Sequence, residues 1–263
     1  MSIFRPTKKK EFGSPSIESA IASLVDEAKL LENKRQKARD YLGASRWGEE
    51  CLRRLRYEFE HVPVDQGSGF RPDTLRIFDM GHDGEARAAR YLQAAGFKLD
   101  TVKQDGSQFG FRAADGKLGG HCDGIIVGGP ELGITYPLLW ENKALNDKSW
   151  NDTKNKGVRE SKPVYFAQLQ VYMGYFELEN SLFTAINRDT GEMLYEVVPL
   201  DAKAAQEASD RALRVVTADA PEDFPRIGRE KSDFRCKWCP YNGTCWEDKQ
   251  VAASTSSPSW LKR

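Results

Sequence analysis

Three charged residues flank two short apolar runs in the middle of the chain. Asp123 precedes the run 124–127, and Glu141 and Lys143 follow the run 136–140. Side chains alternate between the faces of a strand, so positions 141 and 143 point the same way. Two carboxylates and an ammonium group would then meet at one edge of a sheet. Carboxylate oxygens bind Mg²⁺, and a nearby cation can orient a metal-bound water for attack on a phosphate.

A second group of reactive residues is formed by cysteines. Cys236 and Cys239 are spaced so that both thiolates reach one metal centre, and Cys245 can wrap back as a third ligand. A fourth ligand must come from Cys51 or Cys122. Because Cys122 adjoins the carboxylate site, we expect Cys51 to be the fourth. Four thiolates suit either zinc or an iron–sulfur cluster.

Composition limits the class of protein. The 263 residues are 40% apolar and 30% charged, with a formal net charge of zero, so a nucleic-acid partner would need a local basic patch. No apolar run approaches the ~20 residues of a membrane span, and the first residues lack the apolar core of a secretory signal. We therefore expect a cytoplasmic protein without a membrane partner. In a reducing compartment, the five cysteines indicate metal, a cluster or buried thiols rather than disulfides.

Apolar periodicity predicts the elements that would position these residues. Helices are predicted over 16–40, 74–95, 163–178 and 201–216. Strands are predicted over 97–102, 109–113, 120–127 and 138–141, followed by a hairpin of 181–187 and 193–199. Within 42–63, Ser45 can cap a helix that carries Cys51, and a loop or broken helix follows Lys143.

Two pairs of polar residues share helix faces. His82 and Glu85 are three positions apart in one predicted helix, and Gln168 and Tyr172 are four positions apart in another. Taken alone, either pair fits a purely structural role.

Taken together, these features resemble the PD-(D/E)XK nuclease superfamily. The resemblance lies in Asp123 followed eighteen positions later by Glu-x-Lys, each beside a strand-like run. Cys122 stands where that superfamily usually has Pro. The sequence Gly120-His121-Cys122-Asp123 instead matches the Gly-x-x-Asp form of the RecB-like branch.

The resemblance implies roles for individual residues. His82, Asp123 and Glu141 would bind Mg²⁺ or Mn²⁺ together with the carbonyl of Asn142, and Glu85 would play a supporting part. Lys143 would orient the attacking water or help to deprotonate it. Gln168 and Tyr172 match the Gln-x-x-x-Tyr motif of RecB-like exonucleases, which lies next to the metal site. They would belong to the catalytic set and support the site and the nearby DNA.

The cysteines resemble those of the iron–sulfur subgroup of RecB-like nucleases, which includes AddB and the CRISPR-associated exonucleases. One cysteine precedes the nuclease core and three follow it. This resemblance implies that Cys51, Cys236, Cys239 and Cys245 hold a four-iron, four-sulfur (4Fe-4S) cluster that staples the domain, with zinc as the alternative. It also implies that Arg53 and Arg54 face DNA.

The expected fold is an α/β, restriction-endonuclease-like core in the order helix, β-meander, helix, strand. It would carry a helical N-terminal segment and a C-terminal cysteine cluster. The expected segments are a flexible basic arm (1–13), the helical segment (14–73), the nuclease core (74–220), the iron–sulfur segment (221–249) and a disordered tail (250–263).

The expected function is that of a metal-dependent DNA exonuclease in recombination, repair or phage DNA processing. Its partners would be single-stranded DNA or duplex ends, with a homo-oligomer or a recombination protein as a further possibility, inside a bacterial or phage-infected cell. A CRISPR spacer-acquisition nuclease is the alternative within this class. The alternatives of other classes are a non-catalytic DNA-binding subunit of a repair complex and a zinc-binding structural protein.

Overall fold

The computed structural model describes residues 16–247, and contacts within the chain divide these residues into two units. The first unit contains residues 16–37 and 70–79, and the second contains 38–69 and 80–247. The expected basic arm and the expected disordered tail lie outside the described residues. Residues 38–69 therefore group with the sheets and not with the first helix, which differs from the expected boundary at residue 73. The reason is that Leu42, Trp47 and Leu55 are buried in the core of the second unit.

Seven helices and eight strands are present in the described part of the chain. The helices are α1 (Ile17–Arg35), α2 (Leu52–Phe59), α3 (Pro72–Ala94), α4 (Asp147–Ser161), α5 (Pro163–Phe176), α6 (Ala202–Thr217) and α7 (Asn242–Glu247). The strands are β1 (Leu42–Gly43), β2 (Lys98–Asp100), β3 (Gly110–Ala113), β4 (Leu118–His121), β5 (Gly124–Gly128), β6 (Leu138–Leu145), β7 (Asn180–Asn187) and β8 (Met193–Pro199). Over residues 16–247, no helix has the length and apolar character needed to cross a membrane.

The first unit is built from α1 and the start of α3. Ser16 caps the start of helix α1, and its hydroxyl accepts a hydrogen bond from the backbone N–H of Ser19. The helix ends at Arg35, earlier than the predicted residue 40, because Gln36 adopts an extended conformation. Within this unit Lys29 pairs with Asp79, so charged contacts accompany a helix that has no buried residue.

The second unit contains two sheets. The larger has five strands in the order β2-β5-β6-β7-β8, antiparallel except for the parallel pair β6 and β7. Helices α4 and α5 connect that parallel pair, as a crossover must. The smaller sheet has the order β1-β4-β3. The predicted hairpin of β7 and β8 and the predicted helix α6 are both present, with bounds shifted by one residue at most.

The strand predicted over residues 120–127 is wrong in one respect, because it is two strands in two different sheets. Strand β4 ends at His121 and pairs with β3, whereas β5 begins at Gly124 and pairs with β2 and β6. The N–H of Cys122 still bonds to Phe109 at 3.0 Å, and the pairing passes to the larger sheet just beyond it. Asp123 therefore lies at the junction between the two sheets.

Helices α4 and α5 follow the sequence pattern closely. The expected break after Lys143 is a kink in α4 at Gly157, which has a φ of 76°. Helix α5 begins at Pro163, which suits a first helical position. Helix α2 differs, because Cys51 and not Ser45 caps it: the thiol of Cys51 accepts from the N–H of Arg54 at 3.4 Å.

The close approach of β4 to α5 predicts a cost for a side chain at Gly120. A Cβ there would lie 2.7 Å from both the Ala44 Cβ and the Tyr172 Cε1. We expect Gly120→Ala to lower the free energy of unfolding by about 1–3 kcal/mol, measured by urea denaturation. Gly81→Ala, in helix α3 with nothing within 4 Å of its Cβ, should instead raise it by about 1 kcal/mol. Equal stability of the Gly120 variant and the wild type would contradict this packing.

Candidate active site

The register of β5 and β6 brings the two acidic residues of the motif together. Gly124 pairs with Trp140, so Asp123 and Glu141 stand next to that pair on neighbouring strands. Oδ2 of Asp123 accepts a hydrogen bond from the backbone N–H of Asn142 at 2.8 Å. The carboxylate of Asp123 is thus fixed by the backbone of the strand that carries Glu141 and Lys143.

Glu141 is the most deeply enclosed member of this group. Its side chain is 2% exposed, and its Oε1 accepts from Lys143 Nζ at 2.5 Å and from Gln168 Nε2 at 2.6 Å. Its Oε2 is also buried, and within residues 16–247 it has no hydrogen-bond partner. Burying a carboxylate oxygen without a hydrogen-bond donor lowers the stability of the fold, so this oxygen is suited to bind a positively charged ligand.

Carboxyl groups in this cluster resist ionisation. Burial and the nearby charge of Asp123 raise the pKa of Glu141 to about 8. The same two causes raise the pKa of Glu85, on helix α3, to about 7. Burial also raises the pKa of Asp123. Three acids therefore share a site in which Lys143 supplies the compensating positive charge common to all of them.

Lys143 is held in its charged form. Burial alone would lower its pKa, but Glu141 and Asp123 more than offset this and raise the pKa above the ordinary lysine value. Its Nζ also lies 5.4 Å from the centre of the Tyr165 ring, where a cation is attracted to the aromatic face. An ammonium group suits the orienting role expected for Lys143 and not the deprotonating one.

Helix α5 positions both sides of the site. Gln168 contacts Glu141, and one turn later the hydroxyl of Tyr172 donates to the carbonyl of His121 at 2.7 Å. Gln168 and Tyr172, four positions apart on α5, therefore contact two parts of the site. Gln168 contacts strand β6 at Glu141, and Tyr172 contacts the end of β4 just before Asp123. Both side chains are buried, as expected for residues that support a site.

Helix α3 supplies the remaining pair. Glu85 is half-buried, and its effect on Glu141 places it within the acid group. His82 is exposed, yet it lies close enough to Asp123 to offset a small part of the rise that burial causes in the pKa of that carboxyl. The resemblance to RecB-like nucleases implied only a supporting role for Glu85. Its three-residue spacing from His82 was the signal for more, because both then face the same strand end.

One contributor, Thr184 on strand β7, carries no signal in the sequence. Its hydroxyl accepts from Trp140 Nε1 at 3.0 Å and donates to Asn142 Oδ1 at 2.8 Å. The side-chain nitrogen of Asn142 is buried without a partner. Thr184 thus orients the residue between Glu141 and Lys143. The metal-binding role of the Asn142 carbonyl stays a prediction.

The donor set of this cluster fits a divalent cation in part. Carboxylate oxygens dominate it, and the free Oε2 of Glu141 offers a lone pair to a metal. Among residues 16–247, no three His, Cys, Asp or Glu side chains are arranged as the ligands of one metal ion.

The cysteines form a second candidate site. Cys51, Cys236, Cys239 and Cys245 line one cavity of about 190 Å³, together with Arg54 and Trp246. Burial and the thiols of Cys245 and Cys236 raise the pKa of Cys51. Cys122 does not line this cavity; it is 1% exposed, and burial beside Glu141 and Asp123 raises its pKa.

The two arginines predicted to face DNA differ. Arg53 is 6% exposed, donates to the carbonyl of Phe224 and pairs with Glu222 at 3.3 Å. Its predicted DNA contact is therefore wrong, because the guanidinium is turned into the fold. Arg54 is partly exposed and pairs with Glu58 and Glu49 at the edge of the cysteine cavity.

The free oxygen of Glu141 predicts stabilisation by metal. At about 100 times the dissociation constant, Mg²⁺ should add about 2.7 kcal/mol and raise the unfolding midpoint by roughly 5–10 °C. Glu141→Gln should lose this shift because a neutral amide is a poor ligand. Glu207→Gln, an exposed acid on α6, is the control and should keep it. Differential scanning fluorimetry measures both, and an undiminished shift in the Glu141 variant would place the cation elsewhere.

No protein-family model and no curated protein sequence matches this chain. In structure it is similar to the crystal structure of SSO0001, with 18% identity and a TM-score of 0.50 over 85% of this chain and 95% of that one. It is also similar to the alkaline exonuclease LHK-Exo of Laribacter hongkongensis, with 15% identity and a TM-score of 0.45 over 74% of this chain and 92% of that one. A third similar structure is a phage-related exonuclease of Haemophilus somnus 129PT. It has 12% sequence identity and a TM-score of 0.45, and the match covers 70% of this chain and 94% of that one. At these identities, the likeness to SSO0001 concerns the α/β fold alone.

Proposed function

We propose that this protein is a metal-dependent deoxyribonuclease of the PD-(D/E)XK type. The observation that carries the proposal is the acid group of Asp123, Glu141 and Glu85 around Lys143, in which Glu141 is buried and one of its oxygens has no hydrogen-bond partner among residues 16–247. Such a group is poorly stable without a cation. It also lies at the junction of two sheets, where β4 ends and β5 begins.

In this proposal His82, Asp123 and Glu141, together with the carbonyl of Asn142, would hold one or two Mg²⁺ or Mn²⁺ ions, and Glu85 would support them. When bound, such a cation lowers the pKa of water and stabilises charge on a phosphate. The chain's own groups do the rest. Lys143, as an ammonium, would orient the water whose oxygen attacks phosphorus. One P–O ester bond breaks, the attacking water loses its proton to solvent, and the leaving oxygen takes a proton from solvent.

Gln168 and Tyr172 are positioning residues in this mechanism. Gln168 fixes the rotamer of Glu141 through its 2.6 Å hydrogen bond, which leaves the other oxygen free. Tyr172 holds the end of β4 through the carbonyl of His121 and so helps to set the position of Asp123, two residues further along the chain. Neither residue needs to touch the reacting atoms.

The nature of the substrate follows from the sequence motifs. The Gly-x-x-Asp, Glu-x-Lys and Gln-x-x-x-Tyr elements resemble RecB-like exonucleases, so we assign DNA and cleavage from an end. Recombination, repair or phage DNA processing is the setting we favour, with a recombination partner protein or a second copy of the chain as the partner. Spacer acquisition is the alternative setting.

We further propose a 4Fe-4S cluster at Cys51, Cys236, Cys239 and Cys245. Its support is that these four thiols line a common cavity although Cys51 is remote from the others in sequence. A cluster held there would join the two ends of the second unit. By analogy with a disulfide, closing so long a loop stabilises a fold by a few kcal/mol.

The central test of function is cleavage of DNA. End-labelled single- and double-stranded DNA should be shortened in Mg²⁺ or Mn²⁺ and left intact in EDTA. Lys143→Ala should reduce the rate at least 100-fold, because the one compensating ammonium is lost. Gel analysis of the labelled ends gives the rate and the polarity together.

Lys203→Ala is the matched control, since Lys203 is exposed on α6 and only loosely paired with Glu207. It should cleave at the wild-type rate. Full activity of the Lys143 variant would refute the proposed site. Absence of cleavage by wild-type protein that still binds DNA would instead favour a non-catalytic DNA-binding subunit.

The cysteine cavity is tested by metal content. Protein purified anaerobically should contain iron and acid-labile sulfide in equal amounts and absorb visible light. Cys236→Ser should lose the iron and be less stable, because one of the four ligands is gone. Elemental analysis and absorbance measure both effects.

Cys122→Ala is the control for this experiment, because Cys122 does not line the cavity. It should retain the iron. Zinc in place of iron would identify the zinc alternative. Equal iron content in the Cys236 variant and the wild type would remove Cys236 from the ligand set.

A further inference from the structure

A groove of about 560 Å³ opens beside the acid group and is lined largely by one face of helix α3. Its size falls within the ~300–1,000 Å³ of typical ligand sites. Glu85 belongs both to this groove and to the acid group, and the buried Trp140 of β6 also borders it. We call it the α3 groove; its α3 residues are Asp83, Glu85, Ala86, Arg87, Ala89, Arg90 and Gln93.

Two arginines in the α3 groove carry charge that the fold does not use. Arg87 and Arg90 are exposed, and within residues 16–247 neither makes an ion pair or a side-chain hydrogen bond. Asp83 lies one turn before Arg87 and yet is not paired with it. By contrast, Arg76, earlier on the same helix, pairs with Asp26 at 2.6 Å.

The positive charge continues beyond the groove. Arg87 also lines a smaller cavity of about 130 Å³, together with Arg188 after strand β7 and Ala144 of β6. Ala144 directly follows Lys143. The arginines therefore extend along α3 from the groove toward the strand that carries the acid group.

Unpaired guanidinium groups beside buried acids suit a ligand with regularly spaced negative charges. Guanidinium binds phosphate with two parallel hydrogen bonds, a geometry that Lys does not offer. The acids would repel phosphate unless a cation neutralised them, whereas the arginines attract the neighbouring phosphates in any case. Bond cleavage would therefore take place at Glu141, and the neighbouring phosphates would be bound by the arginines on α3.

We propose that Arg87 and Arg90 bind phosphates of the DNA strand on one side of the bond cleaved beside Glu141 and Lys143. The inference deepens the proposed nuclease function and rests on it for the identity of the ligand. Both residues are binding residues and not catalytic ones.

The test is the salt dependence of DNA binding by the cleavage-deficient Lys143→Ala protein. The logarithm of the DNA-binding constant falls linearly with the logarithm of the salt concentration. Each lost phosphate contact makes this negative slope shallower, by about 0.9 on duplex DNA and about 0.7 on single strands. We expect Arg87→Ala and Arg90→Ala each to make it shallower by about this amount, and the double variant by roughly twice as much. Fluorescence anisotropy at several salt concentrations measures the slope.

Arg76→Ala is the matched control, because it removes a paired arginine from the same helix. Its slope should equal that of the parent protein. A slope that is unchanged in the double variant, or made equally shallow by Arg76→Ala, would overturn the proposal.

A second measurement separates this inference from the nuclease proposal. With Lys143 intact, the double variant should raise KM for DNA at least tenfold and leave kcat within about twofold of the wild type. Wild-type cleavage with an unchanged KM in the double variant would refute the arginine contacts alone. Absence of wild-type cleavage, with a slope that depends on Arg87 and Arg90, would refute the nuclease proposal alone.

Discussion

The candidate site is organised around carboxyl groups withdrawn from water beside one ammonium group. Three carboxyl groups, from Asp123, Glu141 and Glu85, share the single ammonium of Lys143, and Glu141 is almost closed to water. Isolated buried charges are unfavourable by several kcal/mol each, so such a group needs a further positive partner or must stay protonated. The unpartnered oxygen of Glu141 marks where that partner belongs.

The surrounding elements keep this charge arrangement in place. Strand register sets Asp123 beside Glu141, and the N–H of Asn142 and the amide of Gln168 each fix one carboxylate oxygen. Helix α5 reaches both β6 and the end of β4, so it sets the distance between the two sheets at this point. The cysteine cavity and the α3 groove lie outside this acid group. A cluster bound in the cavity would join remote parts of the chain, and the α3 groove would bind the DNA substrate.

Much of this organisation was predictable because it is local in sequence. Apolar periodicity predicts α5, α6 and the β7–β8 hairpin, and alternation alone puts Glu141 and Lys143 on one face. The junction at Cys122 was not predictable, since nothing in residues 120–127 indicates that their two halves pair with different sheets. The burial of Arg53 depends on Glu222 and Phe224, far away in sequence. Glu85 joined the acid group through tertiary packing of α3 for the same reason.

The most direct test of the cation centre is a crystal structure grown with Mn²⁺ and measured for anomalous scattering. The account predicts a manganese peak within about 2.0–2.3 Å of an oxygen of Asp123 and of Oε2 of Glu141, with the Lys143–Glu141 contact retained. A protein that shows no peak at these oxygens, at a Mn²⁺ concentration that supports DNA cleavage, would contradict it.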